Sequence, residues 1–431
     1  MSAHPLIACH CCGALHERMP MRAGGRAYCS RCGGLLFQQG RMSLDVSVAL
    51  ITTALVMFAI ANAFPIISVS LQGKTVDATL PGALWLIWRQ DHGLVAAMTG
   101  MFAFWLPLTQ LLFLLWALLC LRSGRLPADF HYGLRVIDVI SPWSMMPVLM
   151  LAILVAVVKF SSLAMLAPGP GIWAFAVLAF LLTAAGLHTS QALWRVAEDA
   201  GLVERAGLEF AVDTRRPAAS CHVCGLVQNM PEGRAACRRC SATLHRRKPN
   251  QRARVWALVI AAGILYVPAN LLPVMLVRAP SGESAHTIIG GVLELWELGS
   301  WDLALIVFVA SIVVPLTKLF SLAFLAANGK WRGESVQRQR TRLYQFIEFI
   351  GQWSMLDVFV VVLLAAMANF PGLAQITAGP AAASFGLVVI FTMLATMGYD
   401  PRAGWDGREQ SNSYALQSAQ SSTPDTLSRT R

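Results

Sequence analysis

Charge is what this chain has least of. Asp, Glu, Lys and Arg make up 13% of its 431 residues, against 56% hydrophobic ones, where a soluble globular domain carries about a quarter charged. That shortage excludes an ordinary water-soluble protein. Catalytic signatures are missing as well: the chain has no G-x-x-x-x-G-K-[ST] phosphate loop, no H-E-x-x-H and no G-x-S-x-G. Nucleotide-driven, metallopeptidase and serine-hydrolase chemistry therefore lack their anchors. The expectation is a non-enzyme whose work, if it performs any, draws on an ion gradient or a partner. The polar, cysteine-bearing first forty residues contain no short apolar segment ahead of a small-residue cleavage site, so the amino terminus is expected to stay in the cytosol.

The apolar residues are grouped. Eight windows have the length and composition of a span across a hydrocarbon core roughly 30 Å thick: about 45–67, 94–121, 136–158, 171–194, 255–277, 303–327, 344–368 and 382–398. The net charge of +11 invites a nucleic-acid reading, but 29 of the 34 Lys and Arg residues fall on one alternate set of loops and ends. This is the positive-inside signature. It places both termini in the cytoplasm and makes lipid head groups, not nucleic acid, the partner of the basic run "HRRKPNQRAR". The five exceptions are Lys74, Arg89, Lys159, Arg278 and Lys318.

The chain also repeats itself, with an offset near 208. "ANAFP" at Ala61–Pro65 answers "ANLLP" at Ala269–Pro273, and "LPLTQ" at Leu106–Gln110 answers "VPLTK" at Val314–Lys318. Two residues further out of step, "PWSMM" at Pro142–Met146 answers "QWSML" at Gln352–Leu356. Four spans per copy is an even number, so the copies share one orientation and form a parallel repeat. The expected fold is an all-α polytopic membrane protein of eight transmembrane helices in two parallel four-helix repeats. The expected domains are a ribbon at 1–44, a membrane repeat at 45–200, a second ribbon at 201–250, a second repeat at 251–400 and a disordered tail at 401–431. Asn62 with Pro65, and Asn270 with Pro273, sit near the outer ends of spans one and five. There a proline frees a backbone carbonyl, which reads either as a helix-end kink or as a hinge or gate lining.

Each repeat is preceded by two C-x-x-C knuckles: Cys9 and Cys12 with Cys29 and Cys32, then Cys221 and Cys224 with Cys237 and Cys240. Two such knuckles can bring four thiolates to about 2.3 Å from one tetrahedral ion, the composition of a closed, structural zinc ribbon. Disulfides are disfavoured in a reducing cytosol, and a thioredoxin-like pair needs a βαβ setting that forty residues cannot supply. Zn²⁺ is the expected ion; iron or a labile redox site are the alternatives. Cys11 reads as a spectator, Cys120 as packing, and His10 and His222 as surface or outer-sphere groups. With four sulfurs per ion, no open position remains for catalysis.

Inside the predicted spans one charge stands out. Lys318 is too deep in span six to snorkel, and an ammonium at that depth costs at least about 2.5–3.5 kcal/mol on insertion scales. It is expected to face the bundle interior with Ser311, seven residues earlier on the same helix face. Ser354 and Asp357 share a face of span seven, and Thr392 is a small polar group in span eight. Taken singly, Ser311, Ser354 and Thr392 read equally as interhelical hydrogen-bonding groups. Lys159, at the outer end of span three, reads as an interface anchor or as part of a passage. The first-half counterparts of Lys318 and Asp357 are Gln110 and Pro147, so the second half is expected to carry the function. Asp138 and Glu348, near inner helix ends, read as favouring helix amino termini.

Together "CHCCG…CSRCG", "ANAFP", "LPLTQ" and "PWSMM", repeated as "CHVCG…CRRC", "ANLLP", "VPLTK" and "QWSML", resemble the paraquat-inducible protein A family over about residues 5–400. The resemblance implies an inner-membrane protein of Gram-negative bacteria that works beside a periplasmic tunnel of MCE domains. It implies lipid transport and envelope maintenance, with Lys318 and its polar neighbours engaging a head group or coupling a proton. Ser162 stands where an acid three residues after Lys159 would complete a charged relay, which weakens such a scheme. Two other functions stay open: a non-transporting anchor and assembly platform for the tunnel, and a redox- or metal-responsive membrane protein.

Overall fold

The computed structural model describes residues 6–19, 21–40, 42–71, 74–90, 92–144, 146–160, 165–185, 189–203, 218–229, 235–245, 247–279, 282–297, 299, 301–327, 333–351, 356–367 and 375–405. The chain starts with two small antiparallel hairpins, β1 (Leu6–Ala8) with β2 (Leu15–Glu17) and β3 (Arg26–Tyr28) with β4 (Leu35–Gln38). Ser43 then caps α1 (Leu44–Ala63), its hydroxyl accepting from the Val46 amide at 3.3 Å. At about 1.5 Å per residue such a helix is roughly 30 Å long, the thickness of the hydrocarbon layer. Pro65 ends the helical course, and the chain becomes β5 (Ile67–Leu71), which pairs antiparallel with β6 (Lys74–Ala78). Thr79 caps α2 (Leu80–Arg89), which buries Leu80, Ala83 and Ile87 and exposes Trp85 and Trp88, as an interfacial helix with an aromatic belt would.

Next come α3 (Gly93–Gly100), a π-turn at Met101–Trp105 and α4 (Leu106–Ser123), running as one rod. Proline explains the wide turn. Pro107 has no amide proton and its ring crowds the carbonyl four residues back, and the Leu106 amide bonds Met101 five residues back instead. A short helix α5 (Phe130–Ile140), a tight turn at Ser141–Trp143 and α6 (Met146–Phe160) follow, then β7 (Met165–Pro168), α7 (Pro170–Ala185) and α8 (Ser190–Asp199). Strand β7 pairs with β5, so the sheet order is β6-β5-β7.

The second half uses the same devices. Hairpins β8 (Ala218–Ser220) with β9 (Val227–Asn229) and β10 (Ala235–Ala236) with β11 (Thr243–Leu244) precede α9 (Gln251–Leu271). Strands β12 (Met275–Ala279) and β13 (Gly282–His286) lead to α10 (Ile288–Glu297), α11 (Trp301–Phe308), a π-turn at Val309–Val313 and α12 (Val314–Ala327). The second π-turn precedes Pro315 as the first precedes Pro107. The chain closes with α13 (Glu334–Gly351), α14 (Leu356–Met367), β14 (Gln375–Ala378) and α15 (Pro380–Gly398). Ile67 pairs with Pro168 in one sheet and Met275 with Ala378 in the other, the same two offsets that the sequence repeat carries.

Among the described residues, six helical segments are long and apolar enough to cross a membrane: Leu44–Ala63, Gly93–Ser123, Phe130–Val157, Gln251–Leu271, Ala304–Ala327 and Pro380–Gly398. The protein is mostly helical and multi-pass. Several expected boundaries need correction. Windows 45–67 and 255–277 overran their prolines into β5 and β12. Window 171–194 divides into apolar α7 and the separate helix α8, whose amino terminus is capped by Thr189. Window 136–158 is interrupted by the tight turn at Ser141–Trp143, and the described residues of window 344–368 belong to α13 and α14. The all-α expectation also omitted the two three-stranded sheets and the ribbon hairpins.

The halves are not packed alike. Helix α14 lies against α6 and α2 of the first half, and Phe359, Val362 and Leu363 join that half's large core. The second half keeps a small core of its own from α9, α12, α13 and α15, with Val259, Leu322, Tyr344 and Ile347 at its centre. Burial follows: 22% of the apolar window of Ala304–Ala327 is covered, against 39% for Gly93–Ser123. The exception in the second half is Pro380–Gly398, 56% of whose window is covered.

Candidate metal centres and polar core

Four backbone turns aim the cysteines. In the first, the Cys9 carbonyl accepts from the Gly13 amide and the Ala14 carbonyl from the Cys9 amide, both at 2.8 Å, and Gly13 adopts φ +78°. The other three knuckles repeat the pattern at Cys29, Cys221 and Cys237. In the last, the left-handed position is held by Ser241 (φ 52°) and not by glycine, a conformation with a steric cost for a residue bearing a Cβ. The sulfurs of Cys9, Cys12, Cys29 and Cys32 are all buried and lie within 4.8 Å of one another, as do those of Cys221, Cys224, Cys237 and Cys240. Cys9 and Cys32 stand 3.5 Å apart and Cys12 and Cys29 3.6 Å apart; both pairs in the second cluster, Cys221 with Cys240 and Cys224 with Cys237, are at 3.5 Å. A tetrahedral ion with 2.3 Å sulfur bonds needs about 3.8 Å between sulfurs, so each group fits a metal ion. Within each cluster the sulfurs share hydrogen bonds that hold a thiol, Cys9 or Cys237, below the ordinary range, while those bonds and burial push Cys12, Cys32 and Cys224 up. Metal binding takes the deprotonated forms.

Sequence reasoning missed His16, whose Nε2 lies 3.2 Å from Cys29 Sγ. It also undervalued Cys11, which is fully buried and meets the Gln345 amide at 3.4 Å. His10 and His222 are exposed, and Cys120 packs at the edge of the first-half core.

That Gln345 contact is one of a set linking the first ribbon to the second half. Arg338 donates to the Arg31 carbonyl (3.0 Å), Arg402 to the His10 carbonyl (3.0 Å), and Arg31 lies over the Trp405 ring at 5.0 Å. The second ribbon is held by the first half. Arg135 on α5 donates to the Cys240 carbonyl, Gln191 on α8 donates to the His222 carbonyl at 2.8 Å, and Arg239 pairs with Glu198 and lies over Trp194. Each ribbon thus reaches the repeat that it does not precede, and the first is also tied to its own repeat, where Arg18 pairs with Glu198 at 3.2 Å and Asp199 at 3.0 Å.

In the membrane region Lys318 is 1% exposed and its Nζ donates to the Gly351 carbonyl at the end of α13, 3.5 Å away. A Cβ on Gly351 would stand 3.9 Å from that nitrogen and 3.0 Å from Met393 Sδ on α15, so α12, α13 and α15 converge there. Ser311 lies in the π-turn, buried, with its hydroxyl donating to the Val307 carbonyl at 2.7 Å; buried Thr392 donates to the Val389 carbonyl at 2.9 Å. Ser354 lies outside the described residues, as do the side chains of Asp357 and Lys159. Gln110, the first-half counterpart of Lys318, is buried with an unpartnered Oε1. Gly351 had no signal in the sequence, because its carbonyl, not a side chain, meets the lysine.

At the helix ends, Asn62 donates to the Phe58 carbonyl (2.8 Å) and Asn270 to the Tyr266 carbonyl (2.9 Å). The next carbonyls are taken up across the sheets: Pro65 accepts from Gly171 (3.0 Å) and Pro273 from Ala381 (3.2 Å).

The family described as Paraquat-inducible protein A matches residues 44–198 and again residues 253–409. Among curated relatives, the intermembrane transport protein PqiA of Escherichia coli (strain K12) is 30% identical over 408 residues, covering 94% of this chain and 96% of that one. The lipophilic envelope-spanning tunnel protein A of the same strain is 29% identical over 406 residues (94% and 92%). A probable intermembrane transport protein of Haemophilus influenzae (strain ATCC 51907 / DSM 11121 / KW20 / Rd) is 27% identical over 391 residues (89% and 92%). No solved structure matches.

Proposed function

The chain belongs to the paraquat-inducible protein A family, and from that membership and the geometry above we propose that it is the inner-membrane component of a lipid transport system. It moves lipid between the inner membrane and a periplasmic tunnel of MCE domains, and it is a transporter, not an enzyme. The observation that carries the reading is Lys318. An ammonium buried among α12, α13 and α15 is costly in a bilayer, and it lies in the half whose α14 has left to pack on the first. On this reading a head group meets Lys318 in the second half, with buried Ser311 and Thr392 as neighbouring polar groups and Ser354, Asp357 and Lys159 as further candidates from the sequence.

Eight crossings follow if α7 and the α13–α14 pair span as well, giving two parallel four-helix repeats within the domain limits expected from the sequence. The bias of 29 of 34 basic residues supports cytoplasmic termini and ribbons. The all-sulfur donor sets and their spacing support Zn²⁺ as the structural ion, which would fix each ribbon's fold by tying two hairpins together. Asn62–Pro65 and Asn270–Pro273 serve as the joints between membrane helices and outer sheets. Lys318→Ala tests the reading. It should insert at normal levels and keep two metal ions per chain, yet fail to restore envelope resistance to a deletion strain. Full restoration would take Lys318 out of the mechanism and leave the anchor-platform role in its place.

A further inference from the structure

Where the first ribbon meets the inner ends of α1 and α4, the fold leaves a cavity of about 210 Å³, several times the roughly 30 Å³ share of a water. Its walls divide by chemistry. Leu44, Leu118 and Leu193 form an apolar side, and Arg18, Arg195 and Asp199 a charged one. Arg18 is fully engaged, 3.2 Å from Glu198 and 3.0 Å from Asp199. Arg195 is different. Among the described residues no carboxylate stands within ion-pair reach of it, and its guanidinium lies over the Phe37 ring at 5.7 Å. Burial and the neighbouring Arg18 pull it down to about 10, against the raising influence of Glu198 and Asp199. The same side chain borders a smaller hollow of about 60 Å³ between the ribbons, beside Glu198, His222 and Arg402.

A guanidinium with no ion pair among the described residues, on the wall of a largely apolar cavity near the ends of two membrane helices, has the chemistry of a phospholipid site. Guanidinium groups take phosphate oxygens in pairs of strong hydrogen bonds, and the leucines would cover the first part of an acyl chain. We propose that this cavity binds the phosphate group of a membrane lipid, with Arg195 as its anchor, at a site separate from Lys318. The proposal does not rest on the transport reading.

The test uses the full chain, purified in a neutral detergent, titrated with dioctanoyl phosphatidylglycerol and, separately, with inorganic phosphate. Binding is read by native mass spectrometry and thermal shift. The wild type should retain the lipid, and Arg195→Gln should weaken it about tenfold or more, the range of a lost charge-assisted pair. Arg195→Lys should recover part of the loss, and Ala192→Phe, which fills the cavity and keeps the cation, should lose the lipid as well. Two metal ions per chain in every variant certify folding. Lipid affinity unchanged in both Arg195→Gln and Ala192→Phe would overturn the proposal, as would free phosphate binding as tightly as the lipid. A loss seen in Lys318→Ala alone would show that the titration reports the other site, and would overturn it too.

Discussion

Crossed docking of the ribbons makes a prediction that neither half could make alone. Replacing one metal ligand of the first ribbon, Cys29→Ser, should loosen the second half of the molecule as well as α8 of the first, which the ribbon meets through Arg18. The magnitude for the second half follows from the four interactions that tie this ribbon to it. Arg338 to the Arg31 carbonyl and Arg402 to the His10 carbonyl are exposed, and each contributes about 0.5 kcal/mol after solvent screening. The half-buried Gln345 contact with Cys11 and the Arg31–Trp405 stack contribute about 1 kcal/mol each. Breaking them, on the order of 3 kcal/mol together, raises local opening of α13 and of residues 401–405 by about two orders of magnitude. Hydrogen exchange in native-lipid discs measures this directly. Cys29→Ser should speed exchange across 334–351 as well as 190–199, while Cys237→Ser should speed it across 130–140 and 190–199. If Cys29→Ser left 334–351 unchanged, the coupling of the first ribbon to the opposite half would be refuted.

Two further substitutions test local claims. Ser241→Gly relieves the one knuckle whose left-handed position carries a side chain, and should stabilise the second ribbon by about 0.5–1 kcal/mol, seen as slower metal loss to a chelator. Gly379→Ala places a Cβ against the Pro273 carbonyl and should cost about 1–3 kcal/mol in thermal unfolding. Gly263→Ala, with nothing within 4 Å, should be neutral or slightly stabilising in the same assay.

Local rules made part of this molecule legible from its residues. Cysteine pairs three positions apart and a residue able to turn left-handed define a knuckle whatever surrounds it, so the eight cysteines that gather into two buried clusters could be named. Apolar runs, prolines and the positive-inside bias are likewise local, and the duplicated motifs return as duplicated π-turns and sheet registers. The same locality explains the errors. Hydropathy does not stop at Pro65 or Pro273, because β5 and β12 are apolar too, so two spans were drawn too long and both sheets were overlooked.

The amino-acid order by itself determined that the chain enters a membrane, that it is doubled, that it carries two four-sulfur clusters and that one lysine lies deep. Tertiary packing alone decided that each ribbon reaches the opposite half, that α14 packs on the first half, and that Lys318 meets a backbone carbonyl on another helix. The reason is physical. Periodicity and spacing report forces between neighbours along the chain, whereas these contacts join residues 33 to more than 300 positions apart, and such pairings are chosen by how whole surfaces fit.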